Sequence, residues 1–145
     1  MTDQSKYHHG NLKEALVQAG LDILHQQGLA ALTLRACAVG AGVSHTAPKN
    51  HFGNLAGLMS AIAARGYQRL TETMQTGLSP DASRADRRQA AMGGYVDFAR
   101  QNPGLFELMF SPQRTNSDDP DLLHHAGRCF AVLCDVSEGL IWDKS

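Results

Sequence analysis

Apolar residues recur at three- and four-residue spacing along most of this chain, and the rhythm breaks at glycine and proline. Leu12, Ala15, Leu16, Ala19, Ile23 and Leu24 form one stripe that ends at Gly28. Asn11 and Glu14 stand at capping-box spacing before it, so a first helix is predicted to begin at Asn11. Thr33 is placed to cap a second, short helix from Leu34 to about Val39, with Leu34, Cys37 and Ala38 inward. Gly40 and Gly42 interrupt the pattern. A third short helix follows, capped by Ser44 or His45 and running to about Phe52, with Val43, Ala47 and Phe52 inward. Pro48 is tolerated only in a first turn, whose amides lack helical acceptors, so this helix is predicted to start close to Ser44. Asn54 caps a long fourth helix in which Leu55, Leu58, Met59, Ile62, Leu70 and Met74 keep helical spacing as far as Gly77.

The turn-forming stretch from Gly77 to Ser83, GLSPDAS, divides the chain. Beyond it, Ser83 to Gln101 reads as a helix with Ala91, Tyr95 and Phe98 on one side, weakened by roughly 1 kcal/mol at each of Gly93 and Gly94. Asn102 and Pro103 start a short apolar helix ending near Phe110, and SPQRTNSD is loop. Asp119 and Pro120 start a final helix to the C-terminus, with Leu122, Leu123, Ala126, Cys129, Phe130, Leu133 and Leu140 as its apolar stripe. No run reads as a strand. The expected fold is all-α: an N-terminal three-helix unit over residues 1–54, a connecting helix over 55–78, and a short helical domain over 83–145.

Composition narrows the picture. With 43% hydrophobic and 19% charged residues in 145, the chain can bury a core. It holds no run of the roughly 20 apolar residues that span a bilayer, and its polar start lacks the apolar centre of a signal peptide, so no membrane partner and a cytoplasmic location are expected. Cys37, Cys129 and Cys134 show no CxxC spacing and are expected to be small buried residues. The pairs His8–His9 and His124–His125 make no metal set, because helical neighbours point about 100° apart and no carboxylate or thiol completes one. Nothing assembles a nucleophile, base and oxyanion donor, so neither an enzyme nor a cofactor is implied. The net charge of −1 is uneven: residues 1–70 carry six Lys and Arg against three acids, a balance of +3, leaving −4 for the remainder. That suits an N-terminal module meeting phosphate.

The stretch from Thr33 to Phe52, TLRACAVGAGVSHTAPKNHF, is thus helix, glycine-marked turn, helix, the layout of a helix-turn-helix that reads the DNA major groove. Residues Tyr7 to Leu70 resemble the N-terminal DNA-binding domain of tetracycline-repressor-like (TetR family) regulators, most specifically in the AGLDILHQQGLAALTLR run, the AGVSHTAP turn and the HFGN before the fourth helix. The later YVDFARQNPGLFELMF resembles the opening of the C-terminal regulatory domain in one branch of that family. The resemblance implies a homodimeric, ligand-responsive repressor that places two α-helices in successive major grooves of a palindromic operator and is released by a small-molecule effector. It also implies two further long helices, which this sequence does not show.

On that reading, Thr33 and Arg35 would meet phosphate at the start of the second helix. Ser44, His45, Thr46, Lys49 and Asn50 would face the DNA; Thr46 and Asn50, one turn apart, suit base edges, Lys49 suits guanine or phosphate, and His51 suits phosphate. The arm Lys6 to His9 is a candidate for the minor groove or a phosphate. Tyr95, Phe98, Phe106, Met109 and Phe110 are candidates for an effector cavity or, equally, for ordinary core. The family's usual aromatic at Lys49, its lysine at Leu55 and its basic pair near Val39 and Gly40 are absent. Since log affinity falls with log salt by about 0.9 per neutralised phosphate, the missing cations predict weaker binding with a flatter salt dependence. They also motivate an alternative, a helical protein-interaction module on the same scaffold.

Overall fold

A computed structural model describes the backbone of residues 3–139 and the side chains of residues 11–139. Among the described residues the chain is all-helical: α1 (Asp3–Gln26), a single 3-10 turn (Leu29–Ala31), α2 (Leu34–Ala41), α3 (Ala47–Phe52), α4 (Leu55–Met74), α5 (Arg84–Gln101), α6 (Pro103–Met109) and α7 (Pro120–Ser137). Four starts are fixed by side chains that satisfy first-turn amides. Thr33 accepts from Ala36, Asn54 from Gly57, Ser83 from Asp86 and Asp119 from Leu122.

Two starts differ from expectation. Helix α1 runs straight through Asn11, which is therefore interior, and Glu14 is not a capping residue. Glu14 instead receives both terminal nitrogens of Arg65 on α4, each at 2.8 Å. Helix α3 begins at Ala47 rather than near Ser44, with Pro48 in its first turn. Residues Ser44 to Thr46 form a turn ahead of it, in which the Ser44 carbonyl accepts the Ala47 amide. Neither Ser44 nor His45 caps it, and Thr46, the residue that does occupy the cap, makes no capping side-chain bond. The proline needs no amide acceptor, so a turn can deliver the chain to it directly.

Helix α4 is the axis. It packs against α1, α3, α5, α6 and α7, and one apolar cluster runs along it from Leu16 and Leu32 through Leu58, Ile62, Leu70 and Met74 to Leu108, Cys129 and Val136. The division into an N-terminal unit, a connecting helix and a C-terminal unit is therefore one of topology, with a core common to all. Close approach needs the absence of a side chain at Gly94 of α5, where a Cβ would lie 2.6 Å from the Thr73 carbonyl oxygen of α4.

Two apolar expectations are corrected. On α7 the buried positions are Leu122, Cys129 and Val136, whereas Leu123 and Phe130 point into solvent; Leu140 lies outside the described residues. Cys37 and Cys129 are buried, but Cys134 is exposed. Burial pushes the Cys37 thiol up to about 11 and raises Cys129 as well. No helix among the described residues is long and apolar enough to cross a membrane.

Candidate nucleic-acid interface

Helix α2 is entered from extended backbone at Thr33, whose hydroxyl oxygen accepts the Ala36 amide at 3.0 Å, and it ends at Gly42 in the left-handed conformation (φ 67°). Cys37 and Ala38 are its buried side, while Thr33 and Arg35 face solvent. The cap consumes an acceptor lone pair of Thr33 and leaves its hydroxyl proton free to donate, for instance to a phosphate oxygen. After the turn, Ser44 and Thr46 hold their hydroxyl oxygens 3.3 Å apart. That contact fixes the approach to α3 from outside the helix.

Helix α3 is short, and its orientation is set by what it buries. Ala47 and Pro48 lie inside and Phe52 packs against the core, so the opposite face carries Lys49 and Asn50, both exposed, with Thr46 beside them. The Asn50 amide donates to the Thr46 carbonyl at 3.0 Å, so Thr46 and Asn50 remain one turn apart on one face although Thr46 is the cap. His45 projects from the preceding turn and not from a helix, as does Ser44; both are exposed. His51 is half-buried, its ring 6.5 Å from that of Phe52. The structure thus gathers Ser44, His45, Thr46, Lys49 and Asn50 onto the turn and the outer side of α3. Thr33 and Arg35 stand apart, at the start of α2. The side chains of the arm Lys6 to His9 lie outside the described residues.

Electrostatics favour an anion here. Neither Arg35 nor Lys49 has an acidic partner among the described residues. From Ile23 to Thr71 the sequence contains no Asp or Glu at all, while it holds Arg35, Lys49, Arg65 and Arg69. That acid-free window is the signal that counting charges by halves blurs. Two contributors went unnoticed in the motif. Lys13 of α1 sits with its ammonium 5.8 Å from the Phe52 ring centre, a cation over the end of α3. Arg65 fastens α4 to α1 through Glu14, whose carboxyl its hydrogen bond holds below the usual range. Of the positions where the family pattern places cations, Val39 is 67% exposed and Leu55 is half-buried against the core.

In the C-terminal half, Tyr95, Phe106 and Phe110 form a run of edge-to-face and tilted ring contacts that Tyr67 of α4 completes. Centroid separations are 5.6 Å for Tyr95–Phe106, 4.7 Å for Phe106–Phe110 and 5.8 Å for Tyr67–Phe110. The Tyr67 hydroxyl donates to the Met109 carbonyl at 2.8 Å. Phe98 and Met109 are buried in the core; Phe110 keeps 49% of its surface exposed.

Comparison with known proteins agrees with this architecture. The family profile described as tetracyclin repressor-like, C-terminal domain, matches residues 88–143. An uncharacterized HTH-type transcriptional regulator of Bacillus subtilis (strain 168), YobS, is 27% identical over 99 residues, covering 68% of this chain and 51% of YobS. The chain therefore spans about half the length of that curated relative. A structure of a protein with unknown function from Rhodococcus sp. RHA1 superposes with a TM-score of 0.73 at 29% identity, covering 90% of this chain and 68% of its own. A possible TetR family transcriptional regulator from Streptomyces coelicolor A3(2) shares the fold, with a TM-score of 0.62 at 21% identity over 88% of this chain and 60% of its own. The chain's helix-turn-helix and α4 axis thus share the fold of TetR family structures, and its second half matches the tetracyclin repressor-like C-terminal domain.

Proposed function

We propose that this protein is a transcriptional regulator that binds a palindromic DNA operator as a homodimer, inserting α3 of each subunit into the major groove, and that a small molecule held by the C-terminal helices releases it. The observation that carries the reading is the face of α3. It buries two small residues and exposes Lys49 and Asn50 beside Thr46, within a window of the chain free of carboxylates. Asn50 has the paired donor and acceptor that match adenine in the major groove; Lys49 donates to guanine or to phosphate; Thr46 reads either. Thr33, Arg35, Ser44, His45 and His51 clamp the backbone on both sides, setting register without reading sequence.

Two-fold related helices must lie about 34 Å apart to meet equivalent faces of B-DNA, so a ligand that shifts their separation costs contacts on both half-sites. The rings of Tyr95, Phe106 and Phe110 mark where an apolar effector would enter, next to the exposed edge of Phe110, with Phe98 and Met109 as the wall behind. Effector and operator binding are then reciprocally coupled.

Electrophoretic shift on the promoter beside the protein's own gene, at two salt concentrations, tests the reading. The expected result is a complex that weakens as salt rises. Absence of a salt-sensitive complex at micromolar protein would leave the second reading, a protein-interaction module, which exposed Val39 and half-buried Leu55 favour because cations are absent from both positions.

A further inference from the structure

One polar side chain in the middle of the core has a use that the reading of DNA does not explain. Ser60, six residues into α4, is 0% exposed. Its hydroxyl donates to the Ala56 carbonyl at 2.7 Å and its oxygen accepts the backbone amide of Asn116 at 2.8 Å, across 56 residues of sequence. Serine is a poorer helix former than alanine, and burying a hydroxyl costs free energy unless it is bonded. Both costs are offset here by a single tertiary partner, an amide of the loop between α6 and α7. That loop is otherwise bonded within itself and to the two helices it joins: Ser111 to Leu108 and Glu107 of α6, Arg114 to Ser111, Asp119 to Asn116, and Asp119 to Leu122 and Leu123 of α7. The bond to Ser60 is thus, among the described residues, the loop's one hydrogen bond to an element other than the two helices it joins.

What Ser60 holds is the root of α3. One turn earlier on α4 lies Gly57, where a Cβ would overlap the Phe52 carbonyl oxygen, so the first turn of α4 rests directly on the C-terminal end of α3. The Gly57 amide is itself held by the Asn54 side chain at 2.9 Å, and Gly53 closes α3 by donating to Lys49. Loop, Ser60, first turn of α4 and α3 therefore form one unbroken set of short contacts, with no long side chain to absorb displacement.

We propose that Ser60 is a positioning residue for DNA reading: its bond to the Asn116 amide ties the placement of α3 to the loop between α6 and α7. The proposal rests on α3 being the DNA-reading helix. Four variants separate it from a bare loss of stability. Ser60→Ala removes the acceptor, Asn116→Pro removes the donated amide, Asn116→Ala keeps that amide, and the double variant Ser60→Ala with Asn116→Pro removes both partners. Hydrogen exchange of the intact protein is read first. Ser60→Ala is expected to speed exchange roughly tenfold in residues 47–59 and 112–118, the equivalent of losing one partly buried hydrogen bond, with α5 and α7 unchanged. Asn116→Ala should behave as wild type, and the double variant should lose no more than the worse single one. A uniform rise throughout the protein, or α3 amides unaffected, overturns the proposal. The second readout is affinity for the duplex that wild-type protein selects from a randomised pool, expected to fall about tenfold in Ser60→Ala and not in Asn116→Ala. If the exchange pattern appears but wild type selects no duplex, α3 is positioned by the loop and the DNA reading alone fails. If affinity is unchanged in Ser60→Ala while wild type binds, the positioning role is refuted.

Discussion

Helix α3 keeps Ala47 and Pro48 inside and turns Lys49 and Asn50 outward, whereas α7 seats Leu122, Cys129 and Val136 on the core yet leaves Leu123 and Phe130 at 58% and 67% exposure. The two helices meet solvent by opposite rules. On α3 the exposed face is polar and the fully buried residues are small. On α7 the exposed Leu123, Phe130 and Cys134 fall along one line of the helix, a quarter to a third of a turn away from the buried line at 100° per residue. Packing within the described residues explains the first arc of α7 and not the second. Polar exposure on a short helix thus marks a surface finished for a hydrated partner, and apolar exposure on a long one marks a surface whose energetics are still to be measured.

That contrast is sharpened most by comparing the two arcs of α7 directly. Leu122→Ala should cost roughly 2–4 kcal/mol in chemical denaturation, as for other buried leucines, while Phe130→Ala should change stability by about 0.5 kcal/mol or less. A loss at Phe130 as large as that at Leu122 would show that the second arc is covered in solution. Next in size is the pair of adjacent glycines in α5. Gly94→Ala places a Cβ against the α4 backbone and should destabilise by roughly 1–3 kcal/mol, while Gly93→Ala, which meets nothing within 4 Å, should stabilise by up to about 1 kcal/mol; thermal denaturation of both tests it.

The α3 side of the contrast is tested on DNA. Lys49→Ala should weaken operator binding and lower the magnitude of the salt slope by about 0.9 per subunit if its ammonium meets phosphate, and Leu55→Lys should tighten binding and steepen the slope by the same amount, both read by fluorescence anisotropy across a salt series. An unchanged slope in Leu55→Lys would mean that the start of α4 does not approach the backbone. The smallest effect concerns the tie between α1 and α4. The Arg65 hydrogen bond lowers the Glu14 pKa from its ordinary 4.5, so its contribution to stability is present above that value and is lost as pH falls below it. The pair is solvent-exposed, so Glu14→Gln should remove only about 0.5 kcal/mol at neutral pH and flatten the acid limb of a stability–pH curve below 4.5.

Features written in local sequence were legible in the chain. Thr33, Asn54 and Asp119 are caps because a short side chain reaches an amide three residues on, and nothing distant competes. Legibility failed where a distant partner decided. Asn11 and Glu14 have the spacing of a cap, but Arg65, 51 residues away, claims the carboxylate. Gly93 and Gly94 read alike, and only the neighbouring helix makes one indispensable. The stripe assigned to α7 merged its two arcs, since spacing reports that residues share a side and not what lies against it. At the interface, the outward positions of Lys49 and Asn50 followed from spacing, while the exit of His45 from the helix depended on how the chain enters Pro48.

The carboxylate-free window has a kinetic consequence. The acids that follow it in sequence, Glu72 to Asp143, outnumber the bases there and give the remainder a balance of −4 against +3 for residues 1–70, so a net charge of −1 hides an uneven distribution along the chain. On the proposed reading, phosphate attracts the cations of the carboxylate-free window, and within a Debye length of about 8 Å at physiological salt that attraction biases collisions toward α2 and α3. Near-neutral overall charge limits how tightly it clings to arbitrary DNA, and the separation of charge governs how often a collision begins in a productive orientation.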